Sequence, residues 1–210
     1  MGGKLNIAVF ASGRGSNFQA ILRAIKDGTI SNASVVMLVS DRRDAGAVEL
    51  AQNEKIPTCL IYQKQFNSEK EFSRTLLDRL ESNHANFIVL AGYLKKIPTE
   101  IIRRFRNRIL NIHPALLPDF GGKGMYGMRV HETVIASGAR MSGATVHIVD
   151  EEYDAGPIVL QRKVNIDSLD TPESLAAKVL DIEHVLYPKA INLFANGRVK
   201  LKGTSLVVIE

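Results

Sequence analysis

Lys4-Leu5-Asn6-Ile7-Ala8-Val9-Phe10-Ala11 runs directly into Ser12-Gly13-Arg14-Gly15-Ser16-Asn17. A continuous apolar run of this kind reads as a strand covered on both faces. The glycines then turn the chain, and Asn17 to Lys26 places Phe18, Ile21, Leu22 and Ile25 at helical spacing. A strand, a glycine turn and a helix are the opening unit of a doubly wound α/β sheet.

The following segments repeat the alternation. Ser34 to Val39 and Thr58 to Tyr62 read as strands, separated by a helix over Ala45 to Glu54 that stops before Pro57. Glu69 to Glu81 is amphipathic, with Phe72, Leu76, Leu77 and Leu80 on one side. Asn86 to Ala91 reads as a strand, Thr99 to Phe105 as a short helix and Ile109 to Ile112 as another strand. The pattern predicts a Rossmann-like α/β fold: a mostly parallel central sheet, helices on both faces and right-handed crossovers. Beyond Pro114 it loosens. A glycine-rich loop from Gly121 precedes a helix over Val130 to Ser137, strands over Thr145 to Val149 and Ile158 to Val164, and a last helix capped by Thr171 with Pro172 at its first position. Nothing repeats and no linker-like stretch divides the chain, so residues 1–210 read as one domain.

Composition bounds the function classes. The chain has 210 residues, 45% hydrophobic and 23% charged, which suits a soluble domain with a real core and disfavours disorder. The single Cys59 excludes a disulfide scaffold and a cysteine-built zinc site. No apolar run approaches the roughly 20 residues of a membrane helix, and the N-terminal run turns too early for a signal peptide, so a cytoplasmic setting is expected. The net charge of +5 fits anionic small molecules or nucleic acid and selects neither. Arg103, Arg104, Arg106 and Arg108 have no interleaved aromatics and read as a solvated helix face rather than a single-strand nucleic-acid surface.

The turn Ser12 to Asn17 offers exposed amides at a helix N-terminus, a natural anion cradle. It fits a tight strand-to-helix turn capped by Ser or Asn equally well. A dinucleotide fingerprint would need a small residue where Phe18 stands, and a Walker loop would need Gly-Lys followed by Ser or Thr. Asp41, with Arg42 and Arg43, sits where a ribose-binding acid and partners for a 2′-phosphate would be.

Leu110-Asn111-Ile112-His113-Pro114-Ala115-Leu116-Leu117-Pro118 carries the chemistry. Residues two apart on a strand share a face, so Asn111 and His113 project together while Leu110 and Ile112 face the other way. Pro114 ends the ladder, leaving both polar groups at the carboxyl end of a central strand, where open α/β sheets bind ligands. A carboxamide beside an imidazole can stabilise a developing oxyanion and move a proton. Asp150, Glu151, Glu152 and Asp154 each offer a carboxylate to orient the imidazole and keep it protonated nearer neutrality; spacing does not choose among them. His84, His131, His147 and His184 read as structural, with His147 a hydrogen-bonded strand residue.

Four segments in chain order resemble the phosphoribosylglycinamide formyltransferase family: Ala11 to Ile21, Leu90-Ala91-Gly92-Tyr93-Leu94-Lys95-Lys96-Ile97, the Asn111 to Pro118 stretch, and Asp154-Ala155-Gly156-Pro157-Ile158. The likeness runs from Ile7 to about Gly197. It implies one catalytic domain over 1–210, with 1–110 the nucleotide-binding half and 111–210 the catalytic and folate-contacting half. It implies transfer of a formyl group from 10-formyltetrahydrofolate to the amine of glycinamide ribonucleotide, with no metal, covalent nucleophile or nicotinamide. By the same resemblance Asn111 and His113 contact the formyl oxygen, His113 donates a proton and Asp154 raises its pKa. Gly15, Ser16, Asn17 and Glu183 hold the nucleotide, while Leu94, Lys95, Lys96 and Ile97, with Asn111, line the folate pocket. Small-molecule substrates are the implied partners, without nucleic acid or membrane, in a monomer or homodimer.

Two other readings stand beside this one. A formyltetrahydrofolate hydrolase would use a similar Asn-His-Asp set, normally behind an N-terminal regulatory domain, whereas this chain starts at its first strand. A non-catalytic nucleotide-binding module would explain Gly13 to Asn17 alone. Relatives that formylate methionyl-tRNA carry a C-terminal nucleic-acid-binding domain, and only a short tail follows Gly197 here.

Overall fold

The computed structural model describes residues 3–202 and 205–208. The elements follow the order β1 (Leu5–Phe10), α1 (Ser16–Lys26), β2 (Ala33–Ser40), α2 (Gly46–Asn53), β3 (Thr58–Leu60), α3 (Glu69–Ser82), β4 (Phe87–Leu90), α4 (Thr99–Arg104) and β5 (Ile109–His113). They continue with α5 (Met128–Ala136), β6 (Met141–Ile148), β7 (Ile158–Asn165) and α6 (Pro172–Ala195), and close on β8 (Val199–Lys202) and β9 (Ser205–Val208). The sheet has seven strands in the order β3-β2-β1-β4-β5-β6-β7; β8 and β9 form a separate antiparallel pair. The strands from β1 to β5 are parallel, and β6 and β7 are antiparallel additions.

The period of two along β1 explains the layering. Ile7 and Val9 pack into the core beneath α1, α2, α5 and α6, whereas Ala8 and Phe10 face the opposite core under α3 and α4. Both faces are therefore covered, as the unbroken apolar runs require. Chain order reverses beside β1: the strands step outward to β3, then return so that β4 pairs with the other side of β1. A crevice opens at such a switch point, outside the carboxyl ends of the strands. The loops there are the glycine turn after β1 and the segment after β4.

The structure departs from the sequence reading at β6 and after α6. β6 starts at Met141, four residues ahead of the apolar pattern, because Ser142 and Gly143 are poor strand formers that pairing with β7 nonetheless orders. At Gly143 the β7 backbone approaches so closely that any Cβ would strike the Arg162 carbonyl oxygen. The pair β8–β9 lies beyond the last element the pattern indicated. No helix among the described residues is long and apolar enough to cross a membrane.

Candidate active site

A cavity of about 460 Å³ lies over the carboxyl ends of β1, β4 and β5. Gly15, Ser16, Asn17, Leu94, Lys95, Lys96, Ile97, Asn111, His113, Asp154 and Glu183 all line it. Residues far apart in the chain meet here because the switch point gathers the loops of three neighbouring strands on one rim. Leu94 to Ile97 come from the first 110 residues and Glu183 from the remainder, so both portions of the chain line the one cavity.

The glycine turn supplies one end of the cavity. Gly15 has φ +83°, and a Cβ there would lie 2.9 Å from Ala47 Cα, so a side chain is excluded by both conformation and packing. α1 begins at Ser16 without a side-chain cap, whereas α3 and α6 carry caps at Ser68 and Thr171. The capped-turn reading is thus corrected: among the described residues no Ser or Asn side chain occupies the first amides of α1, which leaves a helix N-terminus open to an anion. Phe18 is fully buried, contributing about 2 kcal/mol of apolar burial where a dinucleotide fold needs a small residue. Arg42 bonds to Asp44, and Asp41 accepts from Ser12, so these two side chains are engaged by the protein itself.

Glu183 reaches the same end from α6. Asn17 Nδ2 donates to Glu183 Oε2 at 2.6 Å, and both side chains are buried, so Glu183 is not a surface helix carboxylate. Burial pushes its carboxyl up to about 7, against the lowering effect of the Asn17 bond. Asn17 Oδ1 is buried without a hydrogen-bond partner among the described residues.

At the centre, Asn111 and His113 share a face of β5 with Ile109, while Leu110 and Ile112 enter the opposite core. The acidic turn after β6 presented four carboxylates, and geometry separates them. Glu151 pairs with Arg103, Asp150 accepts from the Glu152 amide, and Asp154 alone reaches the imidazole, with Oδ2 3.6 Å from His113 Nδ1. Asp154 holds a positive φ of +55° and receives the Gly122 N–H at 2.9 Å. His113 Nε2 lies 2.9 Å from the Phe120 carbonyl oxygen. A carbonyl can only accept, so Nε2 carries a hydrogen. The glycine-rich loop thus grips both partners, through Phe120 on the histidine and Gly122 on the aspartate.

The electrostatics follow from burial. Desolvation lowers the His113 pKa, outweighing the upward pull of Asp154 and of the Phe120 carbonyl, and the nearby His147 lowers it further. Asp154 does act in the expected direction, but the expectation of a histidine protonated nearer neutrality is corrected: burial wins. For Asp154, burial alone would raise the carboxyl; the neighbouring His147 and His113 rings and the Gly122 N–H together hold it below the usual carboxylate range.

His147 belongs to this cluster, which the sequence reading did not foresee. The register of β5 and β6 sets Asn111 opposite His147. His147 Nδ1 bonds to the Ile148 carbonyl at 3.0 Å, leaving Nε2 to accept from Asn111 Nδ2 at 3.1 Å. Asp154 Oδ1 lies 3.4 Å from the same Nε2 and 3.5 Å from Asn111 Nδ2. His131 also lines the cavity, buried, with Nδ1 lacking a partner among the described residues. No local spacing marks either histidine, because both are delivered by tertiary packing. Leu90, Ile97, Ile102 and Val149 add apolar side chains to the lining.

The formyl transferase family model matches residues 5–191. The chain is 45% identical to the chloroplastic phosphoribosylglycinamide formyltransferase of Arabidopsis thaliana over 205 residues, covering 97% of this chain and 70% of that one. It is 38% identical to the phosphoribosylglycinamide formyltransferase of Haemophilus influenzae, covering 93% and 90%. Among solved structures it is similar to glycinamide ribonucleotide transformylase 1 from Symbiobacterium toebii, with a TM-score of 0.92 at 35% identity, covering 100% of this chain and 96% of the other.

Proposed function

The chain belongs to the formyl transferase family, and we infer that it moves the formyl group of 10-formyltetrahydrofolate onto the amine of glycinamide ribonucleotide, a step of purine biosynthesis. The chain is similar over nearly its whole length to proteins named for that reaction. The observation that carries the reading to particular residues is the meeting of Asn111, His113 and Asp154 in one cavity with an uncapped helix N-terminus. A module that only bound a nucleotide would need the helix end and not the cluster.

The anion of the nucleotide belongs at Gly15, Ser16 and Asn17. Unsatisfied amides and the helix dipole both favour negative charge there. Glu183 faces the same end, its carboxyl bonded to Asn17. The segment Leu94 to Ile97 lines the same cavity as Val149 and Asp150. Backbone groups beside apolar walls suit a flat, hydrogen-bonding ring, so the residues present fit a folate.

Amine attack on a formyl carbon places negative charge on its oxygen, takes a proton from the amine and returns one to the departing nitrogen. Asn111 is the donor for the oxygen: its amide carries two hydrogens, of which the one toward Asp154 is held by only a 3.5 Å contact. His113 handles the proton, and its lowered pKa leaves it able to accept one near neutral pH. Asp154 fixes the ring and stabilises the imidazolium as it forms.

The test is direct. Purified protein is incubated with 10-formyltetrahydrofolate, with and without glycinamide ribonucleotide, and folate absorbance is followed. Turnover that requires the amine is expected. Turnover without it indicates a hydrolase, and no turnover in either mixture returns the chain to a binding role.

A further inference from the structure

We propose that Asp41 is a positioning residue: through the Ser12 hydroxyl it holds the folate-contacting segment against the nucleotide-binding turn. Its kinetic consequence rests on the formyl-transfer reading above, while the relay itself rests on geometry.

Asp41 follows β2, and Ser12 follows β1. Ser12 Oγ donates to Asp41 Oδ1 at 2.5 Å, and Leu94 N–H donates to Ser12 Oγ at 3.1 Å. The Ser12 amide also bonds to the Gly92 carbonyl at 3.1 Å. Ser12 is buried, and the Asp41 side chain is only 11% exposed, with Lys95 Nζ 3.8 Å from its second oxygen.

A serine hydroxyl has one hydrogen, and left alone it rotates to whichever acceptor suits. Here a carboxylate claims it. Hydrogen bonds to an ionised acceptor are roughly twice as strong as neutral ones. A donating hydroxyl is also a better acceptor, so the bond to Leu94 N–H gains from the one to Asp41. Leu94 is thereby fixed from outside the cavity, and its amide is committed to protein instead of ligand. Ser12 directly precedes Gly13 and Arg14 of the nucleotide turn, and Leu94 opens the segment proposed to meet the folate. The hydroxyl therefore ties Leu94 to the nucleotide turn beyond the point where the backbone bond from Ser12 to Gly92 ends.

Two arms test the relay. Hydrogen exchange at the Leu94 amide is measured without substrates, where a single local opening controls the rate. Loss of a charge-assisted bond should speed exchange roughly ten-fold in D41A and S12A, with D41N, which keeps an acceptor for Ser12, in between. In kinetics, the same variants should raise KM for 10-formyltetrahydrofolate roughly ten-fold while kcat changes far less, and the D41A/S12A double variant should be no worse than S12A. Unchanged exchange in D41A, multiplicative losses in the double variant, or D41N as impaired as D41A would each overturn the relay. Should the wild type show no formyl transfer to the nucleotide, the functional reading fails while the exchange arm still decides for or against the relay.

Discussion

Asn111 and His147 stand directly opposite one another across the antiparallel β5–β6 pair, with Asn111 Nδ2 3.1 Å from His147 Nε2. The histidine is oriented by its own bond to the Ile148 carbonyl, so it acts as a fixed acceptor that aims the carboxamide. Removing it should leave Asn111 in place but free to rotate. His147→Ala is expected to lower kcat on the order of ten-fold, about the worth of one net hydrogen bond. Asn111→Ala should cost about 10²–10³-fold as the lost oxyanion donor. The double variant should be no slower than Asn111→Ala, since the histidine acts through the asparagine. Steady-state kcat for the three proteins checks this, and losses that simply multiply would show that His147 has a task of its own.

The next prediction concerns the proton. Burial places the His113 pKa below its ordinary 6.5, and Asp154 is the largest influence pulling it back. In an NMR titration of the His113 ring protons the wild-type midpoint should therefore lie below 6.5, and Asp154→Asn should move it lower still. A group whose folded pKa is depressed in this way binds fewer protons than in the unfolded chain, so its penalty on stability is present at acid pH and disappears as pH rises through 6.5. His113→Ala should lower kcat by roughly 10²–10⁴-fold. A midpoint above 6.5, or one that rises in Asp154→Asn, would reverse the assignment of burial as the dominant effect.

The fold was legible because its signals are local. Phe18, Ile21 and Leu22 announce α1, and the apolar run of β1 announces a strand with two covered faces. Asn111 and His113 were legible for the same reason, since a period of two and a following proline place them without knowledge of any neighbour. Spacing did not rank the four acids after β6, and only the family resemblance singled out Asp154, because its reach to the imidazole depends on its left-handed backbone and on the Gly122 amide. His147 was set aside because cross-strand register is not written in either strand alone. The glycine-rich loop was equally opaque. Its contacts through Phe120 and Gly122 emerge only in three dimensions. Hydrogen exchange over 121–129, with and without folate, would show whether those contacts open on binding; unchanged rates would argue against closure.

Ser16 separates binding from chemistry. It opens α1, whose first amides no side chain among the described residues caps, and it lines the cavity without a bond to the Asn111 cluster among those residues. Ser16→Ala removes one hydroxyl from the proposed anion site while leaving the backbone amides intact. KM for glycinamide ribonucleotide should rise by roughly ten-fold, with a much smaller change in kcat. An unchanged KM would move the phosphate elsewhere.

Glu183 gives the last prediction, one of stability. Its carboxyl is raised to about 7 by burial, so the folded chain holds a proton there that the unfolded chain releases near 4.5. Its contribution is fully present below about pH 4.5 and is lost as pH rises through about 7. The shift corresponds to roughly 3 kcal/mol between those limits. Glu183→Gln has no such proton to lose, and its side-chain carbonyl can still accept from Asn17. Relative to the variant, the wild type should therefore lose roughly 3 kcal/mol of unfolding free energy on going from pH 4.5 to pH 8. Urea denaturation at the two values measures the difference, and other groups cancel because both proteins share them. Parallel curves would mean that the carboxyl is solvated in the free protein. A diverging pair would mean that the fold tolerates a buried charge at neutral pH, a cost that packing alone does not explain and that a ligand at this end of the cavity does.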